Sequence, residues 1–486
     1  MKRRIIIAAI VLFWLVMTGW LVFFEAFPGA FARALPGYRG IFPSGPVILD
    51  SWMRILFQDK AIGYSHTRVD TDEKNPNAQY ALINRTVLNL NILGESQNIV
   101  VDAEAALDAL YNLQKFSFAM NSRRYTARVE GRRIGKKRFL VRIVTDAGPR
   151  SVRVDIPDDV ILYSPLVEMS LGRLKPGQQL RVRTLEPLSL TTADVVVRAV
   201  GRERRVFQGQ EKEATVLVMD FQGMEARAWM DADGKILRQE TPFGWTMEAC
   251  TPNQAMALET VPGGTAGDVL RAMMVPCKGT IADPRLCKEL SLRLRGLALP
   301  PAQLESARQT VRLVKDSEVD VVLSAGRVPP RGAAPSPLSK EIRAYLAPSP
   351  FIQSDDPDMI KQARAIGDWV YRRVNKRPTV SLPSARDVLR VMEGDCNEHT
   401  YLFVALARAI GIPAQIRIGL LYGENGFYYH AWPAVYVGEW WELDPTLGQE
   451  AVDATHVALL EGELANQLKL LGLIGKLGAE VTSQAY

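Results

Sequence analysis

The sequence predicts an α+β protein in which an antiparallel β-rich domain precedes a mixed domain of helices and strands, behind one N-terminal transmembrane helix. Three observations lead to this fold class. An uncharged apolar run opens the chain, alternating strand patterns fill the stretch from 47 to 250, and helical spacing of apolar residues is clearest in the last third. With 486 residues, 47% hydrophobic and 23% charged, the composition is globular and allows two or three domains.

The amino end predicts a membrane anchor. Residues 5–24 carry no charge, and these twenty positions can cross a bilayer core at about 1.5 Å per residue. Basic residues at 2–4 precede the run and Glu25 follows it, so the positive-inside rule keeps the amino end in the cytoplasm. We therefore expect a single-pass protein of the inner (cytoplasmic) membrane with the bulk of its chain extracytoplasmic, in the periplasm. A cleaved signal peptide is the alternative, because small residues follow at 28–34.

Shifts in composition predict the domain boundaries. Strand alternation with turn signals such as Asp233-Gly234 marks the β-rich part, and a Pro-rich stretch at 328–337 marks a linker. The predicted organisation is a cytoplasmic stub and anchor at 1–24, a stalk at 25–46, an antiparallel β-rich accessory domain at 47–250, a mixed connecting region and linker at 251–340, and a catalytic domain with a C-terminal extension at 341–486.

The charge pattern argues against a nucleic-acid partner. The net charge is only +6, and much of it lies in Arg123 to Arg142, where nine Lys or Arg stand against one acid. A solvated face of a β-hairpin is the favoured interpretation of this basic window, ahead of a membrane surface or an anionic substrate.

Cysteines are few, and two of them suggest a disulfide. The chain has four, and Cys277 and Cys287 stand ten residues apart with Asp283-Pro284 bending the chain between them. In an oxidising compartment this spacing predicts a loop-closing disulfide, with two buried free thiols as the alternative.

Chemistry is concentrated after residue 357. Apolar spacing predicts one helix over Met359 to Val374, and a second begins after Ser384 and ends at Gly394. Asp395 and Glu398 then have capping-box spacing, so Cys396 falls at the first position of a third helix. Unpaired N–H groups at a helix start favour thiolate over thiol. The neighbouring acids oppose this effect, so a cationic partner is needed.

A histidine can be that partner, and His430 is favoured over His399 among the four in the chain. His430 lies in a strand that leads through Gly438-Glu439 into a second strand ending at Asp444, whose carboxylate can orient the imidazole. The two side chains share a face only if paired residue numbers sum to 876. We therefore predict an odd loop between the strands, or a bulge near Pro433.

The ordered motifs Gly394-Asp395-Cys396, the stretch 407–414, His430-Ala431-Trp432 and the stretch 441–446 resemble the core of the transglutaminase-like superfamily, which is related to papain. The resemblance covers roughly 349–450. It implies an α+β papain-like fold with Cys396 as nucleophile, His430 as general base and acid, and Asp444 orienting the imidazole. It implies no cofactor, and no calcium-binding pattern is evident. A metal site formed by Cys396, His399 and His430 is disfavoured because no second thiol lies nearby.

The function expected from this resemblance is an exported enzyme that cleaves or transfers acyl groups of peptides or proteins, with peptidoglycan peptides among the candidate substrates. The backbone N–H of Cys396 would be one oxyanion donor, and Tyr428 or a residue within 378–384 the second. The alternative is a catalytically retired binding or scaffold protein of the cell envelope. The expected partners are thus a peptide or protein substrate and the membrane, with no nucleic acid and no metal.

Overall fold

The structure is a computed structural model, and it describes most of the chain after residue 48. The described residues are 49–71, 80–92, 94–108, 112–123, 125–146, 148–158, 160–162, 174–186, 190–221, 224–241, 244–259, 268–297, 299–330, 358–379, 384–462, 470 and 473–486. The predicted anchor and stalk lie outside these residues. No described helix has the length and apolar character needed to span a membrane.

A sheet of fifteen strands occupies the first half of the described chain. Its strands are β1 (Leu49–Phe57), β2 (Lys60–Thr71), β3 (Tyr80–Ile92), β4 (Glu95–Leu107), β5 (Leu113–Ser122), β6 (Thr126–Arg133), β7 (Arg138–Thr145), β8 (Gly148–Asp155), β9 (Val160–Leu162), β10 (Gln179–Glu186), β11 (Thr191–Phe207), β12 (Gln210–Phe221), β13 (Met224–Met230), β14 (Ile236–Glu240) and β15 (Trp245–Ala249).

This sheet is two antiparallel meanders joined edge to edge, and the short strand β9 extends the second one by pairing in parallel with β10. Strands β1 to β8 follow one another in order, β15 back to β9 do the same, and the antiparallel pair β1–β15 joins the two series. Alternate residues of the strands supply its core, including Phe116, Phe139 and Leu217. Asp231 N–H bonds Lys235 across the predicted Asp233-Gly234 turn, which connects β13 and β14. The β-rich character predicted for this part of the chain is therefore observed.

The basic window forms the hairpin of β6 and β7, as predicted. Its turn lies at 134–137, where Ile134 and Arg138 are hydrogen-bonded through their backbones. Arg133 pairs with Asp158 at 2.7 Å and Arg138 with Asp155 at 3.6 Å. Part of the positive charge is thus balanced by acids of the same sheet.

A second sheet of nine strands forms the rest of the molecule together with most of the helices. Its strands are β16 (Val275–Lys278), β17 (Glu289–Arg295), β18 (Gln309–Lys315), β19 (Glu318–Ser324), β22 (Ala414–Tyr422), β23 (Gly426–Tyr436), β24 (Trp440–Glu442), β25 (His456–Glu461) and β26 (Gly478–Ala485), and β20 (Asn375–Lys376) pairs separately with β21 (Glu393–Gly394). The α-helices are α1 (Pro252–Met256), α2 (Val269–Ala272), α3 (Met359–Arg373), α4 (Ala385–Val391) and α5 (Cys396–Ala409), and two short 3-10 turns lie at Pro284–Leu286 and Pro301–Gln303.

The nine-stranded sheet changes the predicted role of the connecting region. Strands β16 to β19 come from 275–324, which the sequence analysis placed in a connecting region, yet they share one sheet and one hydrophobic core with the strands after residue 414. The boundary predicted at 341 therefore does not separate two sheets. Strand order is the reason, because β26 from the carboxyl end lies between β17 and β16.

The predicted disulfide is absent, and this expectation was wrong. Cys277 and Cys287 are both free thiols, as are Cys250 and Cys396. The sulfur of Cys277 lies 3.8 Å from the carbonyl of Lys278, and that of Cys287 lies 3.2 Å from the carbonyl of Glu289. Each sulfur thus contacts the backbone of its own segment, and burial raises the pKa of both thiols, that of Cys277 to about 11.

Candidate active site

Helix α5 begins as the sequence predicts. Asp395 is its N-cap and accepts a hydrogen bond from the backbone N–H of Asn397 at 2.9 Å. The carboxylate of Glu398 accepts in return from the N–H of Asp395 at 2.9 Å, which completes the capping box. Cys396 is therefore the first residue of the helix.

The turn before the helix differs from the prediction. Helix α4 ends at Val391, and Met392 rather than Gly394 adopts the left-handed conformation, with φ of 54°. Gly394 is needed for a different reason: a Cβ there would lie 2.2 Å from the Cβ of Glu398. The strand pair β20–β21 holds this turn, with the N–H of Arg377 donating to the carbonyl of Gly394 at 3.0 Å.

The hairpin that carries His430 has the predicted odd loop. Strands β23 and β24 pair Ala434 with Glu442 and Tyr436 with Trp440, so partner numbers sum to 876. Three residues, 437–439, form the loop. This register was the condition for His430 and Asp444 to share a face, and the prediction is confirmed.

His430 and Asp444 are in direct contact. Nε2 of His430 lies 2.8 Å from Oδ2 of Asp444, and both side chains are buried. The other carboxylate oxygen accepts from the backbone N–H groups of Thr446 at 2.7 Å and Leu447 at 3.3 Å. Burial alone would raise the pKa of Asp444, but the charge and hydrogen bonds of the two histidines beside it, His430 and His456, lower it far below its usual value. Asp444 is a fixed carboxylate.

Cys396 lies beside the same strand. Thr400, one turn further along α5, donates to the carbonyl of Ala431 at 3.0 Å, and the backbone of Ala431 acts to lower the pKa of Cys396. Burial raises the pKa of Cys396 well above its usual value, and the negative charge of Asp395 adds to this. The residue as a whole is half-buried. The expected thiolate at the helix start is therefore a neutral thiol at rest.

His399, the alternative base, has a structural role. It is fully buried, and its Nδ1 donates to the carbonyl of Asp395 at 2.7 Å. Burial lowers the pKa of His399, so its ring is neutral. It stabilises the first turn of α5.

The metal site considered in the sequence, formed by Cys396, His399 and His430, is not observed among the described residues. Three other side chains converge instead, His430, Asp444 and His456, with ligand atoms within 4.8 Å of one another. Their closest approaches, 2.8 and 3.2 Å, are hydrogen-bond distances. We therefore interpret these three side chains as a hydrogen-bonded cluster.

Sequence reasoning gave no role to His456, although it lies at the site. It begins β25 and is fully buried, with Nε2 3.2 Å from Oδ2 of Asp444 and Nδ1 3.2 Å from Oδ1 of Asp453. No local motif marks it, because β25 reaches the site by pairing with β22 rather than through the hairpin of β23 and β24. Acids 12 and 3 residues upstream of His456 are the only sequence signal, and that spacing fits no standard motif.

A buried ionic cluster around Glu442 lies next to His430 and His456. Trp432 stacks near His430 with ring centroids 6.0 Å apart and donates from Nε1 to Glu442 at 2.8 Å. Arg308, from the region before the linker, donates to Glu442 at 2.9 Å and also bonds the backbone carbonyl of His456. Burial opposes the charge of Glu442, but Arg308 and Arg417 outweigh it and lower its pKa.

One predicted oxyanion donor can be located. The ring of Tyr428 lies against Gly423 near the β22–β23 turn. Residues 380–383, within the second predicted segment, lie outside the described residues. The identity of the second donor stays a prediction.

Comparison of the sequence with protein families gives one match. Residues 349–445 match the Transglutaminase-like superfamily, and this range includes Cys396, His430 and Asp444. Comparison with curated proteins gives no match.

Three solved structures are similar to parts of the chain, each over less than half of its length. A candidate cysteine protease from Cytophaga hutchinsonii is 18% identical, covers 41% of this chain and 87% of its own, and has a TM-score of 0.28. A β-barrel-like protein of a domain family of unknown function from Brucella abortus is 8% identical, with coverages of 42% and 96% and a TM-score of 0.30. The periplasmic domain of TgpA from Pseudomonas aeruginosa, bound to ethylmercury, is 15% identical, with coverages of 35% and 93% and a TM-score of 0.19.

TM-scores this low say nothing about function, which has to rest on the site itself. The family match contains the motifs at the start of α5, in β23 and after β24. Residues 349–445 of the chain are similar to the transglutaminase-like superfamily.

Proposed function

We propose that this protein is a membrane-anchored, extracytoplasmic thiol enzyme that cleaves or transfers acyl groups of peptide or amide substrates. Cys396 is the nucleophile, His430 the general base and acid, and Asp444 the residue that orients His430. The observation that carries the proposal is the 2.8 Å contact between Nε2 of His430 and Oδ2 of Asp444. His430 lies on the strand whose Ala431 is bonded by Thr400 of the helix that begins at Cys396.

The proposed reaction follows from the way these groups are paired. Asp444 occupies Nε2 of His430, which leaves Nδ1 as the atom that can serve the sulfur. As the sulfur attacks the substrate carbonyl, His430 takes the thiol proton, and it then gives that proton to the leaving amine. The product is a thioester on Cys396.

Two nucleophiles can resolve that thioester. Water yields a carboxylic acid, which makes the enzyme a peptidase or amidase, whereas an amine yields a new amide and makes it a cross-linking enzyme. In both cases His430 removes a proton from the nucleophile and returns it to the Cys396 sulfur. The substrate is proposed to be a peptide or protein of the envelope, peptidoglycan peptides included.

The raised pKa of Cys396 adds a condition to the mechanism. A buried thiol beside acids does not ionise at neutral pH, so proton transfer to His430 must accompany attack rather than precede it. The same observation favours the second candidate function, a binding or scaffold protein in which the thiol is inert. The two candidates differ in whether Cys396 reacts and whether that reaction needs His430.

Labelling of Cys396 in the full chain tests the proposal. We expect an electrophilic peptide-amide probe to form an adduct at Cys396 and its rate to fall at least about 100-fold in His430→Ala, because general-base catalysis contributes that much. His66→Ala is the matched control, since His66 stacks on Trp52 in the fifteen-stranded sheet. Peptide mapping separates Cys396 from the other three thiols.

Two results contradict the enzyme. An acyl adduct that persists in Cys396→Ala would mean that another residue reacts, and labelling equal in wild type and His430→Ala would favour the scaffold. The proposed anchor has its own test. Alkaline extraction of membranes should leave the full chain in the pellet and release a chain lacking residues 1–46, and release of both would contradict anchoring.

A further inference from the structure

His456 is a buried histidine that the proposed mechanism does not use. It is fully enclosed, and each of its two ring nitrogens faces a carboxylate oxygen at 3.2 Å, Asp444 on one side and Asp453 on the other. Both carboxylates are themselves buried. A histidine enclosed between two acids needs an explanation, because a buried polar group that serves no purpose is costly.

The two carboxylates are held by other donors as well. Asp444 accepts from His430 and from two backbone N–H groups. Asp453 accepts from Arg285 at 2.7 Å, Gln449 at 2.7 Å, and the backbone and hydroxyl of Thr455. With this many donors, both acids are stable as carboxylates, and a carboxylate only accepts hydrogen bonds.

The hydrogen-bond partners then determine the protonation state of the His456 imidazole. A neutral imidazole has one N–H and one lone pair, so a neutral His456 would point its lone pair at a carboxylate. A doubly protonated ring satisfies both contacts. Burial alone would lower the pKa of His456, but its hydrogen bonds to Asp444 and Asp453 outweigh burial and raise it.

Other titratable or charged side chains also lie near His456 in the described part of the chain. His430 lies with its ring centroid 5.8 Å away, Arg308 binds the backbone carbonyl of His456, and Arg285 neutralises Asp453 from its far side. Trp432 closes the remaining face edge-on at 5.1 Å. The positive charge of His456 is therefore directed at Asp444 and Asp453.

We infer that His456 is a positioning residue of the reaction: as an imidazolium bridging Asp444 and Asp453, it fixes the carboxylate that orients His430. This inference rests on the proposed function. Oδ2 of Asp444 is shared by His430 at 2.8 Å and His456 at 3.2 Å, while Oδ1 is held by the backbone, so the carboxylate cannot rotate. His456 touches neither substrate nor sulfur and acts through Asp444.

Strand β25 reaches the site through a close approach of backbones. Gly419 of β22 lies opposite His430, and a Cβ on Gly419 would lie 1.9 Å from the carbonyl oxygen of Val457, the residue after His456. Only glycine allows this spacing. Strand β22 thus lies between β23, which carries His430, and β25, which carries His456, and both histidines contact the carboxylate of Asp444.

The first arm of the test measures protonation without needing activity. The full chain is labelled with ¹⁵N-histidine in a Cys396→Ala background, and its four histidines are assigned by single substitutions. The signals of His456 are those that disappear in His456→Gln. We expect them to show that both ring nitrogens are protonated at pH 7.5. One protonated and one bare nitrogen at that pH would overturn the inference.

The second arm measures turnover of a peptide-amide substrate. His456→Leu should lower kcat about 10- to 100-fold with KM unchanged, which is the expected size for a misplaced catalytic group. His456→Gln keeps one donor toward Asp444 and should recover part of the loss. Both variants should also change the pH dependence of kcat, which a merely structural role would not do. His66→Gln is the control.

Asp453→Asn is a milder variant for the case in which His456→Leu does not fold. It removes one of the two carboxylates that contact His456 and leaves the imidazole ring in place. We expect it to lower kcat less than His456→Leu does, with thermal unfolding still cooperative. A normal kcat in a folded His456→Leu variant would overturn the inference about His456 and leave the proposed function standing. Absence of any turnover in wild type would instead overturn the proposed function, while the NMR arm would still decide whether the bridge exists.

Discussion

Cys396 combines two opposing influences at the scale of a single residue. Its place at the start of α5 gives it the partial positive charge of unpaired N–H groups, while burial and the charge of Asp395 favour the neutral thiol. The second influence prevails in the resting site, since the pKa of Cys396 is raised. Such a nucleophile is unreactive until a substrate and a base are both in place.

The pH dependence of alkylation follows from this raised pKa. Because the folded chain holds the Cys396 proton more tightly than a free thiol does, its thiolate fraction at pH 7 is smaller and increases only as pH rises above about 9. We expect iodoacetamide, which alkylates a thiolate directly by displacement of iodide and does not use the proposed acyl-transfer step, to modify Cys396 more slowly than a cysteine peptide at pH 7. The rate should rise through pH 10, and a plateau below pH 7 would contradict the assignment.

Asp444→Asn should cost both activity and stability. Loss of the carboxylate leaves His430 without its orienting partner, so we expect kcat to fall about 10⁴-fold. It also leaves the buried His456 with one counter-ion, so the free energy of unfolding should fall by about 3–5 kcal/mol at neutral pH.

The sign of the pH effect gives a control for this variant. The folded-state pKa of Asp444 is lowered, so its contribution is present above the unfolded value of about 3.9 and is lost as pH falls below it. Urea unfolding at pH 7 and at pH 3 should therefore show a smaller difference between wild type and variant at the lower pH. An equal difference at both would mean that the charge is unimportant.

The sequence predicted individual residues unevenly. Cys396, His430 and Asp444 could be chosen because each stands at an element end or in a hairpin, where local spacing determines geometry. His456 could not, because its contact with Asp444 depends on β25 pairing with β22, a non-local event. Asp453 was missed for the same reason.

The turn before α5 is the element on which the nucleophile depends. Strands β20 and β21, the capping box and Gly394 together set where the helix begins. The start of α5 and its capping box were predictable from sequence because they are local, as was the hairpin register, whereas the end of α4 was predicted three residues too late. The steric role of Gly394 was not, because it depends on the distance to Glu398 in the folded turn.

Gly394→Ala should displace the start of α5. Its new Cβ would overlap the Cβ of Glu398, which no rotamer can move, so we expect a loss of about 1–3 kcal/mol in stability. Because Cys396 moves with the helix, kcat should fall by about 100-fold. Thermal unfolding and turnover measure the two effects.

Gly201→Ala provides the matched control. A Cβ at Gly201, in β11, meets nothing within 4 Å, and its φ is not positive, so the same substitution there should change neither property. If the two alanine variants behaved alike, the overlap at Glu398 would not govern the helix start.

The whole molecule is organised by the strand order of the second sheet. Strands β17 to β19 and the strands that carry the site belong to separate stretches of sequence, and β26 joins them by pairing with β17 on one side and β16 on the other. The two strands of the hairpin that carries His430 were predicted from the sequence. The order of the strands in the sheet was not, because alternation shows which face of a strand is buried and not which strand lies beside it.

Deletion of residues 478–486 should disrupt the catalytic half of the molecule. It would remove the strand between β16 and β17, and several backbone hydrogen bonds at about 1 kcal/mol each would be lost, so we expect at least about 5 kcal/mol of destabilisation. Limited proteolysis and Cys396 labelling should both report the loss.

Deletion of Tyr486 alone is the control, because it leaves β26 intact. The two deletions together test whether the strand, rather than the carboxyl end itself, is required. A nine-residue deletion that still unfolds cooperatively and still labels at Cys396 would show that the two halves of the sheet are independent.

The position of β26 also affects the order of events during biosynthesis. Arg285 and Arg308, which support Asp453 and Glu442 at the site, are translated well before β26, the strand that ties their half of the sheet to the half that carries the site. A nascent chain still emerging from the ribosome would therefore hold an unfinished site. The proposed enzyme would thus become active only after β26 has been made and has paired with its two neighbours.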